Sequence, residues 1–342
     1  MESGLHVAII GATGAVGSEF LALFEERGFP VHRLSLLASA RSAGKTIATK
    51  GGYLPVAEVT PEAFAGVDVA FFSAGASRSR EFVPHALAAG ALVVDNSSAF
   101  RMDDGVPLVV PEINPDALVG SRLAAVPNCT AILLTMALHP LRALGTMRRV
   151  IVSTYQSASG GGAAMMRHLE DETRAYLAGE DAPHFGLPEP YAFNLFSHNT
   201  AIGPDGHNEE ETKVMEETRK ILGAPDLRLN VTCVRVPVLR AHTESVTIEF
   251  DGPAPSIEAA REALNAAPGV RVVDDRENNR FPTPRGATGG DDVLVGRLRP
   301  DPSDPNALCL LLAGDQLRKG AALNAVQIAE TALGLALHRV SP

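Results

Sequence analysis

The sequence is poor in cysteine. Its three cysteines, Cys129, Cys233 and Cys309, are an odd number and include no Cys-x-x-Cys pair. A disulfide framework or a structural zinc site is therefore not expected, and no metal site is predicted. Sparse cysteines of this kind are typical of proteins from a reducing compartment, so the sequence predicts a cytoplasmic protein.

Long apolar runs and an excess of positive charge are also missing. No stretch approaches the roughly 18 uninterrupted apolar residues of a membrane span, and the opening MESGLHVAIIGATGAVG lacks the layout of a signal peptide, so neither is expected. The 30 basic and 40 acidic residues give a formal net charge of −10. This balance excludes the broad basic surface that nucleic acid or an anionic membrane requires, so an anionic ligand must be met by a local cluster of cations or backbone N–H groups.

The 342 residues have the length of about two domains, and they contain no internal repeat or low-complexity tract. In the first hundred residues, short apolar runs alternate with amphipathic segments, which is typical of a parallel sheet covered by helices. A glycine turn and then a helix are expected after the first strand. The predicted strands are residues 5–10, 34–37, 67–72, 92–95 and 107–111.

After residue 128 the pattern changes to that of an α+β domain. Its predicted helices are 129–141, 209–222 and 253–268, its predicted strands are 149–154, 228–239, 244–250 and 309–314, and 182–208 is predicted as a loop. A long helix is expected over the last segment. We therefore predict an α/β protein: a Rossmann-type parallel-sheet nucleotide domain at 1–128, with a C-terminal helix at 319–342 packing back on it, and an α+β domain at 129–318.

Three glycines form the first motif. Gly11, Gly14 and Gly17 in IIGATGAVGSEF lie between a predicted strand and a predicted helix, which is the context of a dinucleotide-binding turn. Glycines let the backbone approach a pyrophosphate, and the N-terminus of the helix offsets its charge. The spacing is GxxGxxG rather than GxGxxG, so an ordinary tight turn is the alternative.

The end of the second predicted strand indicates the preferred nicotinamide cofactor. An NAD enzyme usually carries Asp or Glu there, about 20 residues after the glycine turn, to hold the ribose hydroxyls. The segment LLASARSAGKT has no acidic residue but contains Ser39, Arg41, Ser42 and Lys45. Hydroxyls and a guanidinium suit a 2′-phosphate, which favours NADP, and a solvated loop is the alternative.

Cys129 is the candidate nucleophile. It follows Asn128 in VPNCTAILL and opens a predicted apolar helix, where the helix N-terminus favours the thiolate and backbone N–H groups can bind an oxyanion. Because free cysteines are often inert core residues, a structural thiol is the alternative. Cys233 and Cys309 lie within predicted strands, and we interpret both as structural.

Further polar candidates follow predicted strands or lie on a predicted helix. In CVRVPVLRAHTESV, His242 is expected in a turn after a strand, where a histidine suits general acid–base work with a distant cysteine, although a structural histidine is the alternative. Arg235 and Arg240 of the same segment suit a carboxylate. Glu210 and Lys213 are three apart on a predicted helix, and a solvent-facing ion pair is expected there.

Together these segments resemble the aspartate-semialdehyde dehydrogenase family. The similarity runs in the family's order through GATGAVG, DNSSAFRM, VPEIN, PNCT, STYQSASG, AFN, EEETK, CVRVPVLRAH, DDVLVGRLR and DQLRKGAALNAVQIAE. The resemblance implies a homodimer whose second domain, with the 182–208 loop, supplies the interface. It also implies a reversible, NADP-dependent reductive dephosphorylation of L-aspartyl 4-phosphate to L-aspartate 4-semialdehyde and phosphate, through a cysteine thioester, on the route to lysine, methionine and threonine.

The resemblance also implies the role of each site residue. Cys129 would be the nucleophile, His242 the acid–base residue and Gln156 the residue that orients the substrate. Arg235 would hold the substrate carboxylate and Glu210 its amino group, whereas Arg101, Lys213 and Asn128 would hold phosphate. The residues expected to bind the cofactor are Gly11, Thr13, Gly14, Ala15, Val16, Gly17, Ser39, Arg41, Ser42, Ser159, Gly160 and Gln316. Gln316 departs from the asparagine found in many members, but it keeps the amide.

Two alternatives to this activity are considered. N-acetyl-glutamyl-phosphate reductase uses the same acyl-phosphate chemistry and a related fold, but it would carry a GCYPT-like nucleophile segment, which PNCTA does not match. A non-catalytic relative that binds nucleotide would not require a nucleophile, a base and anion-binding residues together.

Overall fold

The computed structural model describes residues 4–181, 186–187 and 189–335. It divides into two compact units, Met1–Pro127 with Ala321–Pro342 and Asn128–Gly320. This division falls beside the predicted domain limits at 128 and 319.

The elements alternate in the first unit and are more varied in the second. The strands are β1 (Leu5–Ile10), β2 (Val31–Ala38), β3 (Thr46–Thr49), β4 (Gly52–Glu58), β5 (Val69–Phe72), β6 (Leu92–Asp95), β7 (Leu123–Ala125), β8 (Met147–Gln156), β9 (Phe196–Ser197), β10 (Arg228–Arg235), β11 (His242–Phe250), β12 (Val270–Val272), β13 (Val293–Pro300) and β14 (Ala307–Gly314). The helices are α1 (Ala15–Arg27), α2 (Ala76–Ala88), α3 (Cys129–Leu141), α4 (Ala163–Ala178), α5 (Glu209–Leu222), α6 (Ile257–Ala266), α7 (Pro284–Ala287) and α8 (Leu323–Ala332).

The first unit is built on a seven-stranded sheet in the order β3-β4-β2-β1-β5-β6-β7. Every neighbouring pair is parallel except the β3–β4 hairpin. The central strands carry continuous apolar runs, Val7–Ile10 and Val69–Phe72, that are fully buried, as expected of a parallel sheet covered on both faces. The predicted Rossmann-type α/β architecture is confirmed.

An ion pair joins the first and last helices of this unit. The Arg27 guanidinium of α1 donates to both carboxylate oxygens of Glu330 on α8, at 2.8 and 2.6 Å. Both side chains are 3% exposed. The pair is therefore a bidentate contact in a buried environment, where loss of one partner leaves an uncompensated charge.

The C-terminal helix is shorter than predicted. A π turn at Arg318–Ala322 precedes α8, which ends at Ala332. Gly334 follows in the left-handed region at φ 66°, and the Leu335 N–H returns to the Glu330 carbonyl, which closes the helix. Residues 336–342, which the prediction includes, lie outside the described part of the chain.

The predicted strand at 107–111 is wrong. Only an isolated bridge joins Leu108 to Ala125. Prolines at both ends of the segment lack an N–H donor. The Asn114 side chain accepts the Val110 N–H and donates to the Leu108 carbonyl at 2.9 Å each, which takes groups that a strand partner would use.

The second unit holds a mixed seven-stranded sheet in the order β12-β13-β14-β11-β8-β10-β9. The β8–β10 and β12–β13 pairs are parallel, and the other pairs are antiparallel. The helix α3 has ten buried residues among its thirteen, in agreement with its apolar sequence. The predicted loop at 182–208 contains the short strand β9, and its residues 182–185 and 188 lie outside the described ranges.

The sequence pattern misses α4, because two of its four inward-facing positions are polar. Met165, His168, Leu169 and Glu172 are buried. The Glu172 carboxylate accepts the backbone N–H groups of residues 191 and 192 at 2.7 and 2.8 Å, which compensates for its burial. Within the described residues, none of the helices is both long and apolar enough to cross a membrane.

Candidate active site

The glycine turn between β1 and α1 leaves no room for a side chain at Gly11 or at Gly17. Gly11 has φ 93°, and a Cβ there would lie 2.4 Å from the Ser73 carbonyl oxygen. A Cβ on Gly17 would lie 2.5 Å from the Gly11 carbonyl oxygen, so Gly17 lets the first turn of α1 pack on the loop. Gly14 caps α1 without a side-chain hydrogen bond. The backbone N–H groups of this first turn therefore suit a phosphate.

The other predicted cofactor residues of this unit lie in that turn, in the first turn of α1 and after the end of β2. Thr13 is exposed, and Ala15 and Val16 form the first turn of α1. A short 3₁₀ turn, Ala40–Ser42, follows β2, with Arg41 exposed and Ser42 buried. From Ser39 to Ala57 the chain contains no acidic residue that would repel a 2′-phosphate.

In the second unit, Cys129 is the first residue of α3. Asn128 caps the helix, and its side-chain oxygen accepts the N–H groups of Thr130 and Ala131 at 2.9 and 3.3 Å. Cys129 is partly exposed, whereas Cys233 and Cys309 are buried. Burial raises the pKa of the Cys233 thiol well above its usual value, so this thiol stays protonated. Only Cys129 therefore combines exposure with a helix N-terminus, which favours a thiolate.

His242 lies beside this sulfur. The His242 Nε2 atom is 3.4 Å from Cys129 Sγ, and the imidazole is fully buried. His242 is the first residue of β11 rather than a turn residue as predicted. Its other ring nitrogen, Nδ1, accepts the Ser157 N–H at 3.1 Å. Burial, followed by the Arg235 cation, lowers the pKa of His242 to about 3, so the ring is neutral near neutral pH.

The helices α3 and α5 are joined by an amide–carboxylate network. Glu210 Oε1 accepts hydrogen bonds from Asn128 Nδ2 and from Gln156 Nε2, both at 2.9 Å. Gln156 also donates to the Thr130 hydroxyl at 3.1 Å. The Asn128 N–H donates to Glu217 Oε2 at 2.5 Å. Gln156 and Glu210 are thus brought to the residues on either side of Cys129.

Glu210 is an ionised carboxylate in a buried place. Burial raises the pKa of Glu210, but the neighbouring His198 imidazole in its protonated form, the amides of Asn128 and Gln156, and the Arg235 cation outweigh it, so the pKa lies below its ordinary value. The expected ion pair with Lys213 is wrong. Lys213 lies 3.4 Å from Glu209 instead, since Glu210 faces inward on α5.

Arg235 ends β10 and is 5% exposed. Its Nη1 donates to the Ser157 carbonyl at 3.2 Å. Gly160 lies against this guanidinium and the His242 ring, because a Cβ on Gly160 would be 2.9 Å from Arg235 Nη1 and 3.1 Å from His242 Cε1. The absence of a side chain at Gly160 therefore leaves space beside both predicted site residues.

Two predicted cofactor residues hydrogen-bond to each other. Gln316 donates through Nε2 to the Ser159 hydroxyl and accepts the Ala241 N–H at 2.9 Å. Ser159 in turn lies 2.9 Å from the Ser157 hydroxyl. Gln316 and Ser159 are therefore connected to the residues around His242.

The remaining predicted residue, Arg101, lies in the first unit after β6. Its guanidinium donates to the carbonyl oxygens of Val126 and Asn96 at 2.9 and 3.0 Å. Arg101 is 9% exposed. These contacts hold the guanidinium in place and leave its expected role with phosphate as a prediction.

Three residues near the site are not among the predicted site residues, namely Ser157, Glu217 and His198. Ser157 directly follows Gln156 in STYQSASG, but nothing in its type marks it as a partner of His242. Glu217 lies seven residues after Glu210, and this spacing on one helix face is a signal that could have been used. His198 is buried, and burial together with Arg235 lowers its pKa to about 4, although Glu210 opposes the shift.

Comparison with known proteins matches both units. Residues 6–121 match the family model described as semialdehyde dehydrogenase, NAD binding domain, and residues 138–319 match semialdehyde dehydrogenase, dimerisation domain. The chain is 54% identical over 331 residues to the aspartate-semialdehyde dehydrogenase of Synechocystis sp., which covers 96% of this chain and 98% of that protein. It is 44% identical to the Bacillus subtilis enzyme of the same name, over 97% of this chain and 98% of that protein.

A solved structure shows the same architecture. The crystal structure of aspartate semialdehyde dehydrogenase II from Vibrio cholerae complexed with ASA has a TM-score of 0.93 and 40% identity, and it covers 97% of this chain and 99% of that chain. Similarity in sequence and in architecture thus extends over almost the whole chain, through a nicotinamide-nucleotide-binding domain and a second domain that carries the cysteine–histidine pair. The chain therefore belongs to the aspartate-semialdehyde dehydrogenase family of oxidoreductases.

Proposed function

We propose that the protein catalyses the reversible, NADP-dependent reductive dephosphorylation of L-aspartyl 4-phosphate to L-aspartate 4-semialdehyde and phosphate, in the aspartate route to lysine, methionine and threonine. The observation that carries the proposal is the 3.4 Å approach of His242 Nε2 to Cys129 Sγ at the N-terminus of α3. A nucleophile and an acid–base residue at this distance are what acyl transfer requires.

In the first step, the Cys129 thiolate attacks the carbonyl carbon of the acyl phosphate. The carbon–sulfur bond forms, the carbon–oxygen bond to phosphate breaks, and phosphate leaves with the electron pair of that bond. The positive end of the α3 dipole, at Cys129, favours the negative charge that develops on the oxygen of the tetrahedral intermediate. Covalent catalysis divides a difficult displacement and reduction into two easier steps.

NADPH, when bound, supplies the hydride that reduces the thioester carbon. Cys129 keeps the acyl group fixed during that reduction and is released as thiolate when the carbon–sulfur bond breaks to give the aldehyde. His242 is the proposed acid–base residue because its Nε2 lies 3.4 Å from Sγ, beside the atom to which the reacting carbon would be bonded.

The charges of the second unit suit the two ends of the substrate. Arg235 is the proposed partner of the substrate carboxylate, since a guanidinium binds a carboxylate with two donors. Glu210 is ionised and is the proposed partner of the amino group. Lys213 and Asn128 are the proposed phosphate ligands of this unit, and Arg101 remains a further phosphate ligand predicted by the resemblance. Local cations of this kind offset the repulsion from a net charge of −10 at short range.

The glycine turn and the segment after β2 support NADP as the cofactor. The cradle formed by Gly11 and Gly17 has no room for a Cβ, which fits a backbone that approaches a pyrophosphate. The proposed ligands of that turn are Gly11, Thr13, Gly14, Ala15, Val16 and Gly17, and Ser39, Arg41 and Ser42 are the proposed ligands of the 2′-phosphate. Ser159, Gly160 and Gln316 are the cofactor residues expected in the second unit.

A homodimer is part of the proposal. Tyr176 and Leu177 at the end of α4 and Phe193, Leu195 and Ile202 in the following segment are 61–73% exposed. The Tyr176 and Phe193 rings are 4.9 Å apart, so some of these side chains form a cluster rather than scattered positions. An exposed apolar cluster marks an interaction surface. Size-exclusion chromatography with light scattering of Leu195→Asp is expected to show a shift from dimer to monomer, and an unchanged mass would contradict this placement of the interface.

The activity test uses L-aspartate 4-semialdehyde, phosphate and either NADP or NAD. We expect NADPH formation that requires phosphate, is much slower with NAD and disappears in Cys129→Ser. Activity with N-acetyl-L-glutamate 5-semialdehyde instead would identify the alternative reductase. No phosphate-dependent turnover with either aldehyde would support a non-catalytic nucleotide-binding protein. A cytoplasmic location belongs to the same proposal.

A further inference from the structure

Gln316 uses both ends of its side-chain amide within the second unit. It is 2% exposed. Its Oε1 accepts the Ala241 N–H at 2.9 Å, and its Nε2 donates to the Ser159 hydroxyl oxygen. A residue placed only to contact a cofactor would not need these two internal bonds.

The first of these bonds fixes the orientation of the amide. A backbone N–H is always a donor, so the end of Gln316 facing Ala241 must be the oxygen. The NH₂ end then faces Ser159, whose oxygen must accept. The Ser159 hydrogen is left to donate to the Ser157 hydroxyl 2.9 Å away, and the Ser157 hydrogen to donate to His242 Nδ1 at 3.1 Å. In this series of hydrogen bonds, each group therefore donates to the next one toward His242.

A second donor fixes the imidazole in the same sense. The Ser157 backbone N–H also donates to His242 Nδ1, at 3.1 Å. Because Nδ1 accepts these hydrogen bonds, the proton of the neutral ring is on Nε2. Nε2 is the atom that faces Cys129 Sγ at 3.4 Å. His242 therefore presents an N–H group to the sulfur.

The backbone before His242 is also held by Gln316. Ala241 has φ 72°, a left-handed conformation that residues other than glycine adopt rarely. Its N–H is the donor to Gln316 Oε1. This bond fixes the chain one residue before the imidazole, where β11 begins.

We propose that Gln316 is a positioning residue for His242. It holds the backbone at Ala241 and donates to the first hydroxyl of the Ser159–Ser157 chain, so that the imidazole presents Nε2–H to the Cys129 thiolate. The inference rests on the proposed function, in which Cys129 is the nucleophile. It assigns to Gln316 an effect on the sulfur that does not require a cofactor.

Alkylation of Cys129 by iodoacetamide, without cofactor or substrate, tests this inference across a range of pH. The variants are Gln316→Leu and Ser159→Ala. Gln316→Leu removes both hydrogen bonds of the side-chain amide, and Ser159→Ala interrupts the hydroxyl chain with little change in volume. Gln327→Leu is the matched control, because the Gln327 amide donates to Glu112 in the first unit. The ionisable groups that act on His242, namely Arg235, Glu210 and His198, are the same in every variant.

We expect the pH profile of alkylation to shift upward by about half to one pH unit in Gln316→Leu and Ser159→Ala, which is a roughly three- to tenfold slower reaction at neutral pH. The double variant is expected to react about as slowly as the slower single variant, since both changes interrupt the same series of hydrogen bonds. Gln327→Leu is expected to react like the wild type. Circular dichroism compares the folded state of the variants with that of the wild type.

Unchanged alkylation profiles in both single variants would overturn the inference, even if the KM for NADP rises, because that rise would assign Gln316 to cofactor contact alone. A shifted alkylation profile in Gln316→Leu with an unchanged profile in Ser159→Ala would also overturn the inference, since the hydroxyl chain would then have no effect on Cys129. Failure of the proposed function has a different signature. In that case wild-type Cys129 itself reacts no faster than an ordinary thiol.

Discussion

Replacing Glu244 with glutamine is expected to stabilise the protein progressively as pH rises from about 4.5. Glu244 lies in β11 and is fully buried. Neither of its carboxyl oxygens has a hydrogen-bond partner among the described residues. Burial alone raises the pKa of Glu244 well above its ordinary value, so the folded protein keeps this acid protonated.

The sign and size follow from proton linkage. In the unfolded chain the carboxyl ionises above its ordinary pKa of about 4.3, whereas in the folded protein it keeps its proton to higher pH. The stabilisation that comes from keeping Glu244 protonated is complete below the unfolded-state pKa and is lost as pH rises to the folded-state pKa. Between these limits, the free energy of unfolding falls by about 1.4 kcal/mol for each pH unit. Glutamine has no such proton to lose.

Urea unfolding at a fixed protein concentration, followed by circular dichroism, measures this difference. The gap between Glu244→Gln and wild type is expected to widen by about 1.4 kcal/mol per unit from about pH 5 upward, then level off at the folded-state pKa. Glu262→Gln, a change at an exposed position of α6, is the control and is expected to run parallel to wild type. Parallel curves for Glu244→Gln between about pH 5 and 6 would refute the reasoning, because they would mean that the buried acid is already ionised.

Three further outcomes are expected. Cys129→Ala should lose nearly all phosphate-dependent NADP reduction, whereas His242→Ala should keep a measurable rate reduced by ~10²–10⁴-fold; steady-state assays showing the reverse order would contradict the assigned roles. Gly160→Ala should lower kcat by about tenfold or more without changing the urea midpoint, since its Cβ would lie 2.9 Å from Arg235 Nη1 and 3.1 Å from the His242 ring; unchanged kcat would mean that the ring can move away freely. Arg27→Ala should lower the free energy of unfolding by about 3–5 kcal/mol, and Arg27→Met combined with Glu330→Leu should recover most of it; equal losses in the two proteins would show that the charge left by Arg27→Ala is not the cause.

Local signals predict some elements to the residue. The helix α5 starts and ends as predicted, because Asn208 and Glu211 form a capping box at its start and Gly223 adopts φ 57° at its end. The helix α3 is equally well marked by an apolar run. In contrast, β3 and β4 are mostly exposed, so they show little of the apolar pattern from which strands are predicted.

The environment of the site could be predicted only in part. The chain signals Cys129 through its position after Asn128, but it gives no sign that Glu210 is buried, since Glu210 lies among other charged residues in the segment HNEEETKVMEETRK. Glu210 is buried because two amides, 82 and 54 residues away in sequence, donate to it. Partners at that separation come from tertiary packing, which the periodicity of one helix does not contain. The roles of the site residues stay predictions.

In the proposed mechanism, Asn128 couples recognition of the substrate at Glu210 to the placement of the Cys129 sulfur. Its oxygen caps the helix that begins with Cys129, while its NH₂ and backbone N–H groups bind two carboxylates of α5. Engineering a new substrate preference at Glu210 would therefore remove an anchor of the nucleophile as well. A redesigned pocket would need a substitute acceptor for the Asn128 amide before a change in selectivity could be separated from a loss of rate.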